Sequence, residues 1–219
     1  AITLSVWVKW LGPRTDPYLF SKGQGILGKR GGWDDVSMVW MLETSAAQDG
    51  SFALRHYVGG DTSTPDLYTA AGLLNQYINQ WVHIAATFPH RAADPCDANS
   101  HAWLYLNGGR VADGPWRFSH GYDPNIYFTI GTSTDQNGWP DTPSSFYGYI
   151  DEVRVYNRAL DPNEIGYLAD VSPADGNLWI PIPSPAEVYS NEEQGKKAIN
   201  FKDFALVADQ WLKEEMFPR

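Results

Sequence analysis

Asp151 is the residue of this chain best placed to hold a metal ion. It lies in Tyr147-Gly148-Tyr149-Ile150-Asp151-Glu152-Val153-Arg154-Val155-Tyr156-Asn157, where a period of two puts it on one face with Tyr149, Val153 and Val155. A carboxylate on a core-facing row is costly unless it is paired, hydrogen-bonded or bound to a metal. Calcium, with its preference for oxygen ligands, is the ion it would serve; backbone N–H groups or an arginine are the alternatives. Loop aromatics form the second group. Trp33 stands beside Asp34 and Asp35 in a glycine-rich stretch, Trp139 follows Asp135 and Asn137, and Trp116 and Tyr122 bracket His120. Rings next to carboxylates and amides suit sugars, whose C–H faces stack on them and whose hydroxyls need directional partners. Each ring could equally cap the edge of a core. Trp7, Trp10, Trp81 and Trp103 lie within strand-like runs and read as packing residues.

Catalytic chemistry is poorly provided for. Glycoside hydrolysis needs two carboxylates flanking one bond. The pairs here, Asp34-Asp35 and Asp151-Glu152, are adjacent in sequence. On a strand, neighbours point to opposite faces, so Asp151 and Glu152 could not share a substrate. No G-x-S-x-G, phosphate loop or Cys-His signature occurs, and the five histidines lack helical metal-site spacing. His83 reads as structural, and no enzyme activity is expected. The net charge of −10 argues against nucleic acid and anionic membranes as partners. The single cysteine, Cys96, rules out a disulfide within the chain and reads as a free loop thiol. No apolar run is long enough to span a bilayer. With no signal peptide and a strand starting at once, the sequence reads as mature, truncated or cut from something longer.

The elements that must position these residues are mostly strands. Ile2, Leu4, Val6, Val8 and Trp10 form one buried row, ended by Gly12-Pro13. Strands are expected over 36–44 and 51–58 with Gln48-Asp49-Gly50 as the turn, over 80–88, and over 101–107 with Asn107-Gly108 turning into 110–112. A further strand is expected at 126–131. Residues 59–74 and 132–145 read as loops. Asp161-Pro162-Asn163-Glu164 carries an N-cap, Pro at N1 and Glu at N3, so a short helix should run from Pro162 to about Ala169. Many short strands with Gly, Pro, Asn and Asp turns predict an all-β, two-sheet antiparallel sandwich over 1–172. A proline-punctuated linker follows over 173–198. Over 199–219, Phe204, Val207, Ala208, Trp211 and Leu212 fall on one helical face, which needs a partner surface.

Five motifs in order resemble the concanavalin A-like, laminin-G-like jelly-roll family. They are Leu4-Ser5-Val6-Trp7-Val8, Trp81-Val82-His83-Ile84-Ala85, Leu104-Tyr105-Leu106-Asn107-Gly108, Thr129-Ile130-Gly131 and Gly148 to Leu160. The resemblance implies a carbohydrate-binding or adhesion module of a secreted or cell-surface bacterial protein, often with a structural calcium, and a glycan or cell-surface polysaccharide as partner. The glucanases of this fold carry a Glu-x-Asp-x-x-Glu strand, which is absent here. The family's usual first strand, about thirty residues before the first motif, is also absent. That leaves an edge beside Gly148–Asn157 which another chain could complete, as in a structural subunit of a surface layer or filament. The tail Ile199-Asn200-Phe201-Lys202-Asp203-Phe204 with Leu206 to Leu212 resembles a dockerin half-repeat. Read back from Asp203, its loop positions are Glu192, Gln194 and Lys196, and a lysine there does not suit calcium.

Overall fold

The first strand, β1 (Ile2–Trp10), follows its alternation. Leu4, Val6, Val8 and Trp10 are buried in the main core, while Thr3, Ser5, Trp7 and Lys9 lie on the other face. The computed structural model describes residues 1–14, 23–30, 38–55, 66–89, 101–116, 126–134, 140–141 and 144–170. The chain divides into two compact units, Ala1–Val171 and Ser172–Arg219, and every described element belongs to the first. The remaining strands are β2 (Gly25–Arg30), β3 (Met38–Thr44), β4 (Phe52–Arg55), β5 (Leu67–Tyr68), β6 (Trp81–Phe88) and β7 (His101–Leu106). They continue with β8 (Gly109–Pro115), β9 (Phe128–Ile130), β10 (Ser133–Thr134), β11 (Pro140–Asp141) and β12 (Gly148–Tyr156). One helix follows, α1 (Pro162–Leu168).

Two five-stranded antiparallel sheets face each other. The first has the order β12-β1-β6-β7-β8 and the second β5-β4-β3-β2-β9, with β10-β11 a small separate ladder. Val82, Ile84 and Leu104 from the first sheet meet Leu27, Leu42, Phe52 and Leu54 from the second in one apolar core. This is the expected jelly-roll sandwich. The β7–β8 hairpin turns on Asn107 and Gly108, whose φ values of 48° and 79° give the type I′ geometry that Asn-Gly favours.

Helix α1 begins as its sequence dictates. Asp161 accepts the N–H groups of Asn163 and Glu164, and the Glu164 side chain returns to the Asp161 N–H. Arg158 clamps Glu164 through two bonds of 2.7 and 2.6 Å. Leu160 and Ile165 pack against Ala85 and Tyr105, so the helix covers part of the first sheet's outer face.

The structure departs from the sequence reading in three places. Ser5 pairs with Arg154 but Trp7 with Asp151, so β12 holds one extra residue opposite β1. That bulge centres on Glu152, whose φ is 50°. The alternation changes parity across it. Ile150 and Val153 both pack on the core, while Tyr149 and Asp151 stay exposed. Asp151 therefore does not share a face with the valines. Secondly, β5, β10 and β11 form inside the stretches 59–74 and 132–145 expected to be loops, because two-residue strands are too short to show a period. Thirdly, Trp81 stands 45 % exposed. The other three strand tryptophans behave as expected: Trp10 is in the core, Trp103 packs beside α1, and Trp7 donates its indole N–H to the Leu168 carbonyl.

Candidate functional site

On the outer face of the second sheet, three charged groups from three chain segments meet. Glu43 lies on β3, opposite Gly25 and Ala53. Arg55 ends β4, and Asp66 immediately precedes β5. The Arg55 Nη1 donates to Glu43 Oε1 at 3.0 Å and its Nε to Asp66 Oδ2 at 2.7 Å. Tyr68 of β5, opposite Ala53, completes the group with a ring 47 % exposed. Gly23 makes room for this arrangement: a Cβ there would stand 2.6 Å from the Glu43 carboxyl carbon.

Burial shapes the electrostatics. Glu43 is almost sealed from water, and its desolvation pushes the carboxyl above the usual carboxylate range against the pull of Arg55. Burial also disfavours the charge on Arg55, but Glu43 and Asp66 more than offset it and hold the guanidinium firmly charged. Burial raises the Tyr68 phenol, with Arg55 opposing and Asp66 and Glu43 adding to the shift. A guanidinium carries five N–H donors. The two bonds to Glu43 and Asp66 fix its plane and leave donors free for a ligand at a position open to solvent.

This combination can hold a polar ring. Arg55 offers directional donors, Asp66 an acceptor and Tyr68 a flat apolar face. The two carboxylates balance and exceed the single cation, so the group has no surplus positive charge for an anion. Both acids grip Arg55, rather than facing each other across an open space as bond cleavage would need.

The sequence-predicted residues fare unevenly. Trp33, Asp34, Asp35, Tyr122, Asp135, Asn137 and Trp139 lie outside the described residues, as do Cys96, the linker and the tail helix. Trp116 does not present a surface. It is 1 % exposed and packs on Phe88 with ring centroids 5.3 Å apart, so its ring belongs to the core and cannot stack on a sugar. Asp151 accepts the N–H of Glu152 at 2.8 Å, which answers one oxygen locally. Among the described residues no group of three or more His, Cys, Asp or Glu side chains could hold a metal ion. The bulge turns Asp151 to the exposed outer face, so the cost of a buried carboxylate no longer argues for a metal ion there. Sequence reasoning missed Glu43, Arg55, Asp66 and Tyr68. Only the alternation placing Glu43 opposite in parity to Leu42 hinted at a carboxylate on a sheet face.

The sequence profile of the concanavalin A-like lectin/glucanases superfamily matches residues 1–166. No curated protein matches the chain. Among solved structures, the chain resembles the carbohydrate-binding module CBM40 of the Ruminococcus gnavus IT-sialidase, with a TM-score of 0.55 and 15 % identity over 77 % of this chain and 82 % of that one. It also resembles a Bacteroides ovatus protein assigned by inference to carbohydrate binding, with a TM-score of 0.50 and 20 % identity over 75 % and 39 %. The binding domain of Paraclostridial Mosquitocidal Protein 1 gives 0.51 and 21 % over 77 % and 36 %. This chain thus spans well under half the length of the latter two. At these identities the likeness is one of fold. Among the described residues no helix is long and apolar enough to cross a membrane.

Proposed function

Because the chain belongs to the concanavalin A-like lectin/glucanase superfamily, we propose that it is a non-catalytic carbohydrate-binding module of a secreted or cell-surface protein. One observation carries the reading: Arg55, fixed by Glu43 and Asp66 beside the half-exposed Tyr68, uses two of its five donors in these bonds and keeps 30 % of its side chain open to solvent. Pre-organisation of this kind lowers the ordering cost of binding. The CBM40 likeness, one copy of which was solved with α2,3-sialyllactose, supports a glycan partner in general. A glycan array probed with the whole chain tests this. Binding should appear, and Arg55→Lys, which keeps charge but loses the planar fork, should weaken it roughly tenfold. An array without binders, or Arg55→Lys and Tyr68→Ala variants that bind like the parent, would refute the reading.

A second reading, a structural subunit completed by a strand from another chain, is favoured by the open edges. Among the described strands β12 pairs with β1 alone and β9 with β2 alone. Val155 on β12 and Phe128 and Ile130 on β9 remain about half exposed at these edges. Sedimentation over a wide concentration range decides it. Reversible assembly abolished by Val155→Lys supports a strand partner, and a monomer throughout removes it.

A further inference from the structure

The opposite face of the sandwich carries a row of side chains that packing leaves unused. Lys9 on β1 pairs in register with Tyr149 on β12 and with Trp81 on β6, so the three side chains form one line across three adjacent strands. Tyr149 is 58 % exposed and Trp81 45 %. Their ring centroids lie 6.5 Å apart with planes inclined by 51°, and the Lys9 Nζ sits 5.9 Å from the Tyr149 centroid. One row along, Asp151 stands exposed opposite Trp7. Helix α1 covers the far end of the same face and does not reach this row in the packing of its cluster.

Two large rings are rarely left open without use, because burying them is among the most favourable contacts a side chain can make. We propose that this row is a second carbohydrate-binding platform, which takes an internal stretch of a neutral polysaccharide laid across the strands. The proposal shares the carbohydrate chemistry proposed for the Arg55 face but rests on other residues. Three features select the ligand. The row is open and spans three strands at about 4.8 Å spacing, which suits an extended chain rather than a small molecule enclosed in a pocket. Rings supply faces for sugar C–H groups, Lys9 donates to hydroxyls and Asp151 accepts from them. The charges of Lys9 and Asp151 cancel locally and the whole chain carries −10, so acidic polymers and acidic peptides are not drawn to it.

Native electrophoresis of the whole chain through gels containing soluble β-glucan, xyloglucan or galactomannan provides the test. The parent protein should be retarded by at least one of them, equally in low and high salt. Trp81→Ala and Tyr149→Ala should each weaken that retardation roughly tenfold, with unfolding temperatures close to the parent's, while Tyr127→Ala, at an exposed ring outside both faces' sites, leaves it intact. The inference falls if none of the three polymers retards the parent, if both ring variants migrate like the parent, or if salt abolishes the effect. Should Arg55→Lys abolish retardation while the ring variants retain it, the polymer binds the Arg55 face alone. In that case the platform is refuted and the proposed function stands.

Discussion

His83 shows how a single side chain sets a condition on the whole fold. It is fully buried, its Nε2 lies 2.9 Å from the Ser5 hydroxyl, and its Nδ1 has no partner among the described residues. Burial, aided by the Arg154 charge, lowers its pKa to about 4. The unfolded imidazole takes its proton near 6.5, so from there downward the unfolded state gains a proton that the folded state refuses. Stability is complete above about 6.5 and falls as the pH drops toward 4, by roughly 3 kcal/mol in all. Urea unfolding at a series of pH values should show this slope, and His83→Gln should flatten it. Glu164 acts in a lower window. Arg158 bonding holds its carboxyl below the ordinary 4.5, so its contribution is complete above about 4.5 and is lost progressively as the pH falls below that. At Glu43 the direction is reversed, since burial raises its carboxyl. Removing the cation with Arg55→Ala leaves a buried acid without its partner. It should cost roughly 3 kcal/mol of stability, which is why Arg55→Lys is the better probe of binding. None of these pairings was legible in sequence. Residues 43, 55 and 66, or 5 and 83, come together only through strand register, which a local pattern does not contain.

At the scale of elements, alternation and turn chemistry were legible and parity across irregularities was not. β1, β6 and the Asn107-Gly108 hairpin follow their patterns closely. β12 was recognised as a strand, but the extra residue at Glu152 moved Asp151 from the expected inner row to the outer one. A bulge is visible only against the partner strand, and nothing within 147–157 announces it. Deleting Glu152 should restore simple alternation and force either Tyr149 or Val155 onto the wrong face. The variant is expected to unfold at markedly lower temperature than the parent, as circular dichroism would show. The helix was legible to within a residue, because its signals are local. Asp161→Ala should cost about 1 kcal/mol through loss of two accepted N–H bonds, measurable by chemical denaturation. The exposure of Trp81 was hidden for a different reason. Its strand offers no sign of where α1 ends its cover of the sheet, and that limit is what leaves the ring open.

For the whole molecule, the sandwich separates two chemically distinct outer faces, one centred on Arg55 and the other on Lys9. If both bind glycan, one molecule can hold two polymer strands, and adding it to a polysaccharide solution should raise the viscosity more than either Arg55→Lys or Trp81→Ala does. Fold class was readable because five separate strand motifs agree; the binding faces were not, since each is assembled across strands distant in sequence. The same distances carry a cost during synthesis. Thr3 accepts nothing from its near neighbours. Its hydroxyl donates to the Arg158 carbonyl at 2.8 Å and receives the Leu160 N–H at 2.9 Å, across 157 residues. At roughly 5–20 residues per second, a ribosome needs on the order of ten seconds or more to deliver that latch. Until then one side of β1 has no mate, and its row of aliphatic side chains is only half housed. The nascent chain therefore depends on being shielded for that interval, and faster translation of the middle of the message should increase the yield of folded protein.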